Sequence, residues 1–92
     1  MTTEYSTKRQ ALEMGLFYGG FEDEKLRIEK LENLLKSKPK KEYMGFPQLK
    51  HPIEVYALNN PKGDKVKIGI GTFREGYELW LIHPKTGLSL RA

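Results

Sequence analysis

The chain of 92 residues contains no cysteine, which excludes disulfide scaffolds, thiolate metal sites and cysteine nucleophiles. Its amino terminus lacks the basic and apolar segments of a signal peptide. No apolar run approaches the length that a membrane-spanning helix requires. We therefore expect a cytoplasmic protein that does not bind membranes.

Motifs for catalysis or cofactor binding are also scarce. Gly69 and Gly71 lack the third glycine of a dinucleotide-binding loop and fall inside a predicted strand. His51 and His83 each precede a proline without the spacing of a metal site, so a role in a turn is the better interpretation. The acidic residues 22–24 are explained by the start of a helix. We therefore expect no catalytic residue, no metal, no cofactor and no enzyme activity.

The length and composition indicate one folded domain. Hydrophobic residues make up 38% of the chain and charged residues 30%, proportions that are ordinary for a soluble globular protein. We predict a single domain over residues 1–92. It comprises a helical part over 1–38, a basic connector loop over 39–51 and an antiparallel sheet over 52–92.

Residues 1–38 are predicted to form two helices. Thr7 and Gln10 have the spacing of a capping box, and Gly19-Gly20 ends the apolar pattern of the first helix. Gly15 costs this helix about 1 kcal/mol relative to alanine, so the helix is predicted to be weak. The second helix is longer and amphipathic, and its apolar stripe is predicted to pack on the sheet. The stripe consists of Phe21, Ile28, Leu31 and Leu35.

From residue 52 onward the hydrophobic period changes to two. Residues 52–58, 65–73, 77–82 and 88–91 read as strands, and the gaps between them are too short for crossover helices. The sequence therefore predicts an α+β fold with two N-terminal helices packed on a C-terminal antiparallel meander of three to four strands.

Alternation divides the predicted sheet into two faces. The face expected beneath the helices contains Ile53, Val55, Ala57, Val66, Ile68, Ile70, Tyr77, Leu79, Leu81, Leu88 and Leu90. The opposite face includes Leu58 and mixes aromatic with basic side chains, and Trp80 is predicted to lie across strand glycines with one edge accessible. The candidate partner-binding residues come from this opposite face. They are Tyr56, Lys65, Lys67, Phe73, Trp80 and Arg91.

Positive charge is concentrated in the middle of the chain. The net charge of the whole sequence is +4, and residues 36–67 alone carry +5. The basic connector candidates are Lys36, Lys38, Lys40, Lys41 and Lys50. Such a stretch either contacts the phosphates of a nucleic acid or forms a solvated connector, and the sequence leaves both interpretations open.

These observations favour a small non-catalytic module that binds a larger protein or a protein–nucleic acid assembly, because aromatic side chains and arginine are enriched in protein-binding hot spots. Small chains without catalytic motifs are often accessory regulators or inhibitors, including those of phages and mobile elements. The alternative is a module that binds DNA or RNA through residues 36–67 and the aromatic sheet face. A third interpretation, a small enzyme subunit, has no motif in its support.

Overall fold

The computed structural model describes residues 4–42, 52–73 and 76–92. Two helices precede a five-stranded antiparallel sheet, and the strands lie side by side in their order along the chain. The elements are α1 (Lys8–Tyr18), α2 (Glu24–Lys36), β1 (Lys40–Glu42), β2 (Ile53–Asn59), β3 (Lys65–Phe73), β4 (Gly76–Ile82) and β5 (Ser89–Arg91). The predicted α+β class and the antiparallel meander are confirmed.

The sheet has one strand more than the sequence indicated. Strand β1 lies inside the predicted connector loop and pairs with β2, with Lys40 opposite Val55 and Glu42 opposite Ile53. Its residues are exposed and have low strand propensity, so backbone pairing alone defines it. Lysines on such an edge strand discourage pairing with other chains. The remainder of the predicted connector, residues 43–51, falls outside the described residues.

Both ends of α1 are where the sequence predicts them. The Thr7 Oγ1 atom accepts a hydrogen bond from the Gln10 backbone N–H at 3.1 Å, and the Gln10 side chain accepts one from the Ser6 N–H at 3.2 Å. The first bond satisfies an amide group that the first turn of a helix leaves unpaired, and the second fixes the residue that precedes the N-cap. The chain leaves the helix at Gly19 and Gly20, where Gly20 has a φ of 112° that other residues rarely adopt.

Asn60 joins the turn between β2 and β3 to the end of α1. Its Oδ1 atom accepts hydrogen bonds from the backbone N–H groups of Lys62 and Asp64, both at 2.9 Å. Its Nδ2 atom donates to the Gly19 carbonyl oxygen, also at 2.9 Å. One amide side chain therefore shapes the turn and fixes it against the C-terminal end of the helix.

The helix that packs most extensively on the sheet is α1, whereas the sequence favoured α2. Helix α1 lies on β3 and β4, and α2 packs against α1. A Cβ atom on Gly15 would lie 2.8 Å from Cγ2 of Ile68 and 2.9 Å from Cδ1 of Leu79. The glycine that weakens the isolated helix is thus the residue that allows its backbone to approach the sheet.

The apolar stripe of α2 is narrower than predicted. Leu31 is fully buried, Phe21 is buried and Leu35 packs at the margin of the core, but Ile28 is 39% exposed. Because α2 contacts α1 and not the broad surface of the sheet, a single row of side chains around Leu31 suffices to cover it.

Strand β2 faces the opposite way from the prediction. Tyr56 pairs with Ile68, and both are buried beneath the helices, with Leu58 packed at the margin of this core. Ile53 and Val55, predicted to lie beneath the helices, are buried on the other face. Apolar residues stand at both odd and even positions of β2, so alternation alone does not decide which set faces the helices.

The face away from the helices has a small apolar cluster of its own. Ile53, Val55 and Trp80 form it, and Ile82 packs against it. Trp80 lies opposite Gly69 in the neighbouring strand, as predicted. However, Trp80 is only 7% exposed, so the expectation of an accessible edge is wrong. Ala57, which was expected in the main core, is exposed.

The close approach at Gly15 leads to a first prediction. Gly15→Ala should destabilise the protein, because the added methyl group meets Ile68 and Leu79 at less than 3 Å and overpacking costs about 1 to 3 kcal/mol. Helix propensity alone predicts a stabilisation of about 1 kcal/mol. Chemical denaturation measures the sign. The control is Asn33→Ala on the exposed side of α2, which should be neutral or slightly stabilising; a stabilised Gly15→Ala variant contradicts the proposed contact.

The position of α2 leads to a second prediction. Leu31→Ala should reduce the free energy of unfolding by about 2 to 5 kcal/mol, because the truncation leaves a cavity in the core. Ile28→Ala, on the same helix but partly exposed, should cost less than about 1.5 kcal/mol. Urea denaturation of both variants compares them, and equal losses would mean that the assignment of the buried row is incorrect.

Candidate functional site

Helices α1 and α2 leave the β5 margin of the sheet uncovered. Helix α1 packs on β3 and β4, and neither helix makes extensive contact with β5. Leu90 pairs with Leu81 and so lies on the helix-facing side, yet it is 74% exposed, and Leu88 is 55% exposed. The prediction that Leu88 and Leu90 belong to the core is wrong. Leu90 lies on the inferred face, but neither α1 nor α2 packs extensively on β5.

A groove of about 610 Å³ lies between the C-terminal end of α1 and β5. Half-buried Val66 and Leu81 line its inner part. Tyr18, which is 52% exposed, borders it on the side of α1, and Leu88 and Leu90 border it on the side of β5. The groove is therefore predominantly apolar and open to solvent.

The polar groups that line the groove are basic or neutral. Lys65 and Lys67 of β3 contribute to its wall, together with His83 and Ser89 at the turn into β5. Among the described residues that line it, none carries a carboxylate. Lys67 pairs with Ile82 and alternates with Val66 and Ile68, so the side chains of Lys65 and Lys67 lie on the face away from the helices. The helix-facing interior of the groove is apolar.

The turn between β4 and β5 positions the outer wall of the groove. Nδ1 of His83 accepts hydrogen bonds from the backbone N–H groups of Lys85 and Thr86, both at 3.2 Å. Gly87 has a φ of 76°, and its N–H donates to the His83 carbonyl oxygen at 2.9 Å. The role in a turn predicted for His83 is confirmed, whereas His51 lies outside the described residues.

Tyr56 lies on the helix-facing side of the sheet and not on the opposite face, to which the sequence assigned it. Its ring is buried beneath the helices, where Nζ of Lys8 lies 5.7 Å from the ring centroid and 2.9 Å from Oε1 of Glu54. Burial raises the pKa of the Tyr56 phenol, because the phenolate would lose its hydration. This environment connects α1 to β2.

Trp80 and Arg91 pair across β4 and β5 on the face away from the helices. The Nε atom of Arg91 lies 3.3 Å from Oε2 of the buried Glu78, so the ion pair holds β5 against β4. Tyr56 and Trp80 therefore lie on opposite faces of the sheet. Phe73 is the last residue of β3, opposite Gly76, and its side chain lies outside the described part of the structure.

The basic candidates divide into separate groups. Those exposed at the end of α2 and in β1 are Lys36, Lys38, Lys40 and Lys41. Lys38 and Lys40 line a shallow cavity of about 350 Å³ with Lys67 from β3. Glu42 also lines this cavity and offsets part of its positive charge. Lys50 lies outside the described residues.

The structure brings together Lys65 and Lys67 with three residues that sequence reasoning did not select, namely Tyr18, Leu88 and Leu90. The alternation of Leu88 and Leu90 placed them on the helix-facing side. The sequence contains no signal for how far the helices extend across the sheet. That extent decides whether the helix-facing side of β5 is covered.

No protein-family model, no curated protein and no solved structure matches this chain. Within residues 4–42, 52–73 and 76–92, no helix is long and apolar enough to cross a membrane. Within the same ranges, no group of three or more His, Asp or Glu side chains is placed to hold a metal ion. The candidate site is therefore defined by the geometry of the groove.

The exposure of the groove leads to a third prediction. Leu90→Ser should change the free energy of unfolding by less than about 0.5 kcal/mol, because its side chain is largely in water already. Leu12→Ala, in the fully buried face of α1, should cost about 2 to 5 kcal/mol. Thermal and urea denaturation measure both. A large loss in Leu90→Ser would show that β5 is covered in the folded protein.

Proposed function

We propose that this chain is a non-catalytic module that binds a larger protein, alone or within a protein–nucleic acid assembly, through the groove between α1 and β5. The observation that carries this proposal is the set of exposed apolar side chains around one cavity. Tyr18, Leu88 and Leu90 surround it. Contiguous apolar surface on a small protein marks an interaction site more often than isolated exposed residues do.

The energetics of the groove support binding to a protein. Burial of apolar surface contributes about 25 cal/mol per Å², and the exposed leucines and tyrosine gain most from a partner that covers them. Leu90 is held by its pairing with Leu81 in β4, so one wall is ordered before binding. Preorganisation of this kind lowers the entropic cost of association. An accessory regulator or inhibitor acts in this way, by binding to the surface of its partner.

Nucleic-acid binding is the second candidate, supported by the cavity that Lys38, Lys40 and Lys67 share. Tyr56 and Trp80, the aromatic side chains suggested for base stacking, are buried on opposite faces. Only phosphate contacts would then remain, and such binding is insensitive to sequence and strongly weakened by salt. The groove therefore supports the protein-binding proposal better.

A selection from a random-peptide display library tests the proposal. The wild-type chain should enrich peptides whose affinity falls at least tenfold in Leu88→Ser/Leu90→Ser, because truncating two apolar contacts removes buried area. The matched control is Leu26→Ser/Ile28→Ser, which changes exposed apolar residues on α2, and it should retain affinity within about twofold. Failure to enrich any peptide, or equal losses in the two double variants, would contradict a binding role for the groove.

An electrophoretic shift with mixed-sequence DNA and RNA at physiological salt tests the second candidate. On the protein-binding proposal we expect no shift at low micromolar protein. A tight shift that is lost in Lys38→Gln/Lys40→Gln/Lys41→Gln would favour nucleic-acid binding instead. In that case the slope of log affinity against log salt should flatten by about 0.7 to 0.9 for each phosphate contact removed.

A further inference from the structure

We propose that two copies of this chain associate edge to edge, with β5 of one copy paired antiparallel to β5 of the other in one continuous sheet. This inference goes beyond the proposed function, which requires only one copy. It follows from three features of β5: the direction of its main-chain groups, its lack of the protection that the opposite edge has, and the spacing of its leucines.

The hydrogen bonds between β4 and β5 fix which main-chain groups of β5 point outward. The His83 N–H donates to the Leu88 carbonyl oxygen at 2.8 Å. The Ala92 N–H donates to the Leu79 carbonyl oxygen at 2.9 Å. Along an antiparallel strand, residues that bond to the neighbouring strand alternate with residues whose main-chain groups point away from it. Ser89 follows Leu88 directly, so its own N–H and C=O point away from β4.

The two outer strands of the described sheet, β1 and β5, differ in their protection against pairing. Strand β1 presents exposed Lys40 and Lys41, and lysine on an edge strand discourages pairing with another chain. Strand β5 carries one charge, on Arg91, and that side chain forms an ion pair with Glu78 of β4. An extended edge with outward N–H and C=O groups and no lysine is a template for a further strand.

A second β5 matches this edge in one symmetric register. With Ser89 opposite the second copy's Ser89, the two residues exchange both N–H···O bonds, as a hydrogen-bonded antiparallel pair does. Leu88 of each copy then lies opposite Leu90 of the other, because the two-fold axis passes between the serines. Leu88 is 55% and Leu90 74% exposed, the highest values among the large apolar side chains that the structure describes. Cross-strand contact between them stabilises the pairing.

The lysines on the face away from the helices do not oppose this pairing. Lys65 and Lys67 lie on β3, two strands from the edge. At a strand spacing of about 4.8 Å, the lysines of the two copies stand about 24 Å apart, well beyond the Debye length of about 8 Å at physiological salt. The two-fold axis is perpendicular to the sheet, so the helices of both copies lie on one face and both grooves stay open to a partner.

Sedimentation across the micromolar range of concentration tests the pairing. We expect wild type to pass from monomer to dimer. Ser89→Pro should weaken dimerisation at least tenfold, because proline lacks the outward N–H, whereas an edge strand tolerates proline at such a position. The control, Ser89→Ala, keeps this N–H and removes only the hydroxyl, which donates to the Gly87 carbonyl oxygen. It should dimerise within about threefold of wild type, and circular dichroism checks the fold of both variants.

A single cysteine tests the register independently, because the chain has none of its own. Ser89→Cys should form a disulfide-linked dimer on mild oxidation, since directly opposite residues in a ladder have Cβ atoms about 4.5 to 5.5 Å apart. Lys62→Cys, in the exposed turn between β2 and β3, should remain monomeric under the same conditions. The cysteine variants decide the question if Ser89→Pro does not fold.

Three results would overturn the pairing of β5. They are a wild-type chain that stays monomeric throughout the concentration range, a dimer that folded Ser89→Pro leaves unchanged, and equal cross-linking through the two cysteines. None of them bears on the groove as a peptide-binding site, because the display selection and its leucine variants test that role separately.

Discussion

The contact between the backbone of α1 and the side chains of β3 and β4 is the constraint on which the rest of the structure depends. At Gly15 the helix lies so close to Ile68 and Leu79 that a methyl group would collide with them. This proximity brings Leu12 and Leu16 into the core and leaves α2 to cover α1 from outside. The hydrogen bond from Asn60 to Gly19 fixes the same helix at its C-terminal end.

The groove is a consequence of that packing. Because α1 is anchored over β3 and β4, its end at Tyr18 borders β5 without covering it. A strand that is itself held by β4, through the pairing of Leu81 with Leu90 and the ion pair of Glu78 with Arg91, then presents leucines to solvent. Strand β5 is thus held in place by β4, but neither α1 nor α2 covers its helix-facing side.

Much of the fold could be predicted from sequence because its signals are local. The cap at Thr7, the glycines that end α1 and the strand periods after residue 52 each depend on a few neighbouring residues. What could not be predicted depends on tertiary packing. Both sets of side chains in β2 are apolar, so the choice between Tyr56 and Val55 for the main core is made by the pairing with β3. Of the candidate site, the sequence indicated only the lining residues Lys65 and Lys67, because the exposure of Leu88 and Leu90 depends on where helix α1, about seventy residues earlier, packs on the sheet.

The strand order has a consequence for how the chain folds. Each of the five strands pairs with its neighbour along the chain, so these pairings close short loops at small entropic cost. The bridge between Tyr5 and Tyr77, by contrast, spans most of the chain. Helix α1 is different, because Gly15 meets Ile68 and Leu79 more than fifty residues later. During synthesis, α1 therefore cannot complete its packing on the sheet until β4 has left the ribosome. Until then, the apolar surface that later secures the native state is a site for chaperone binding or misassembly.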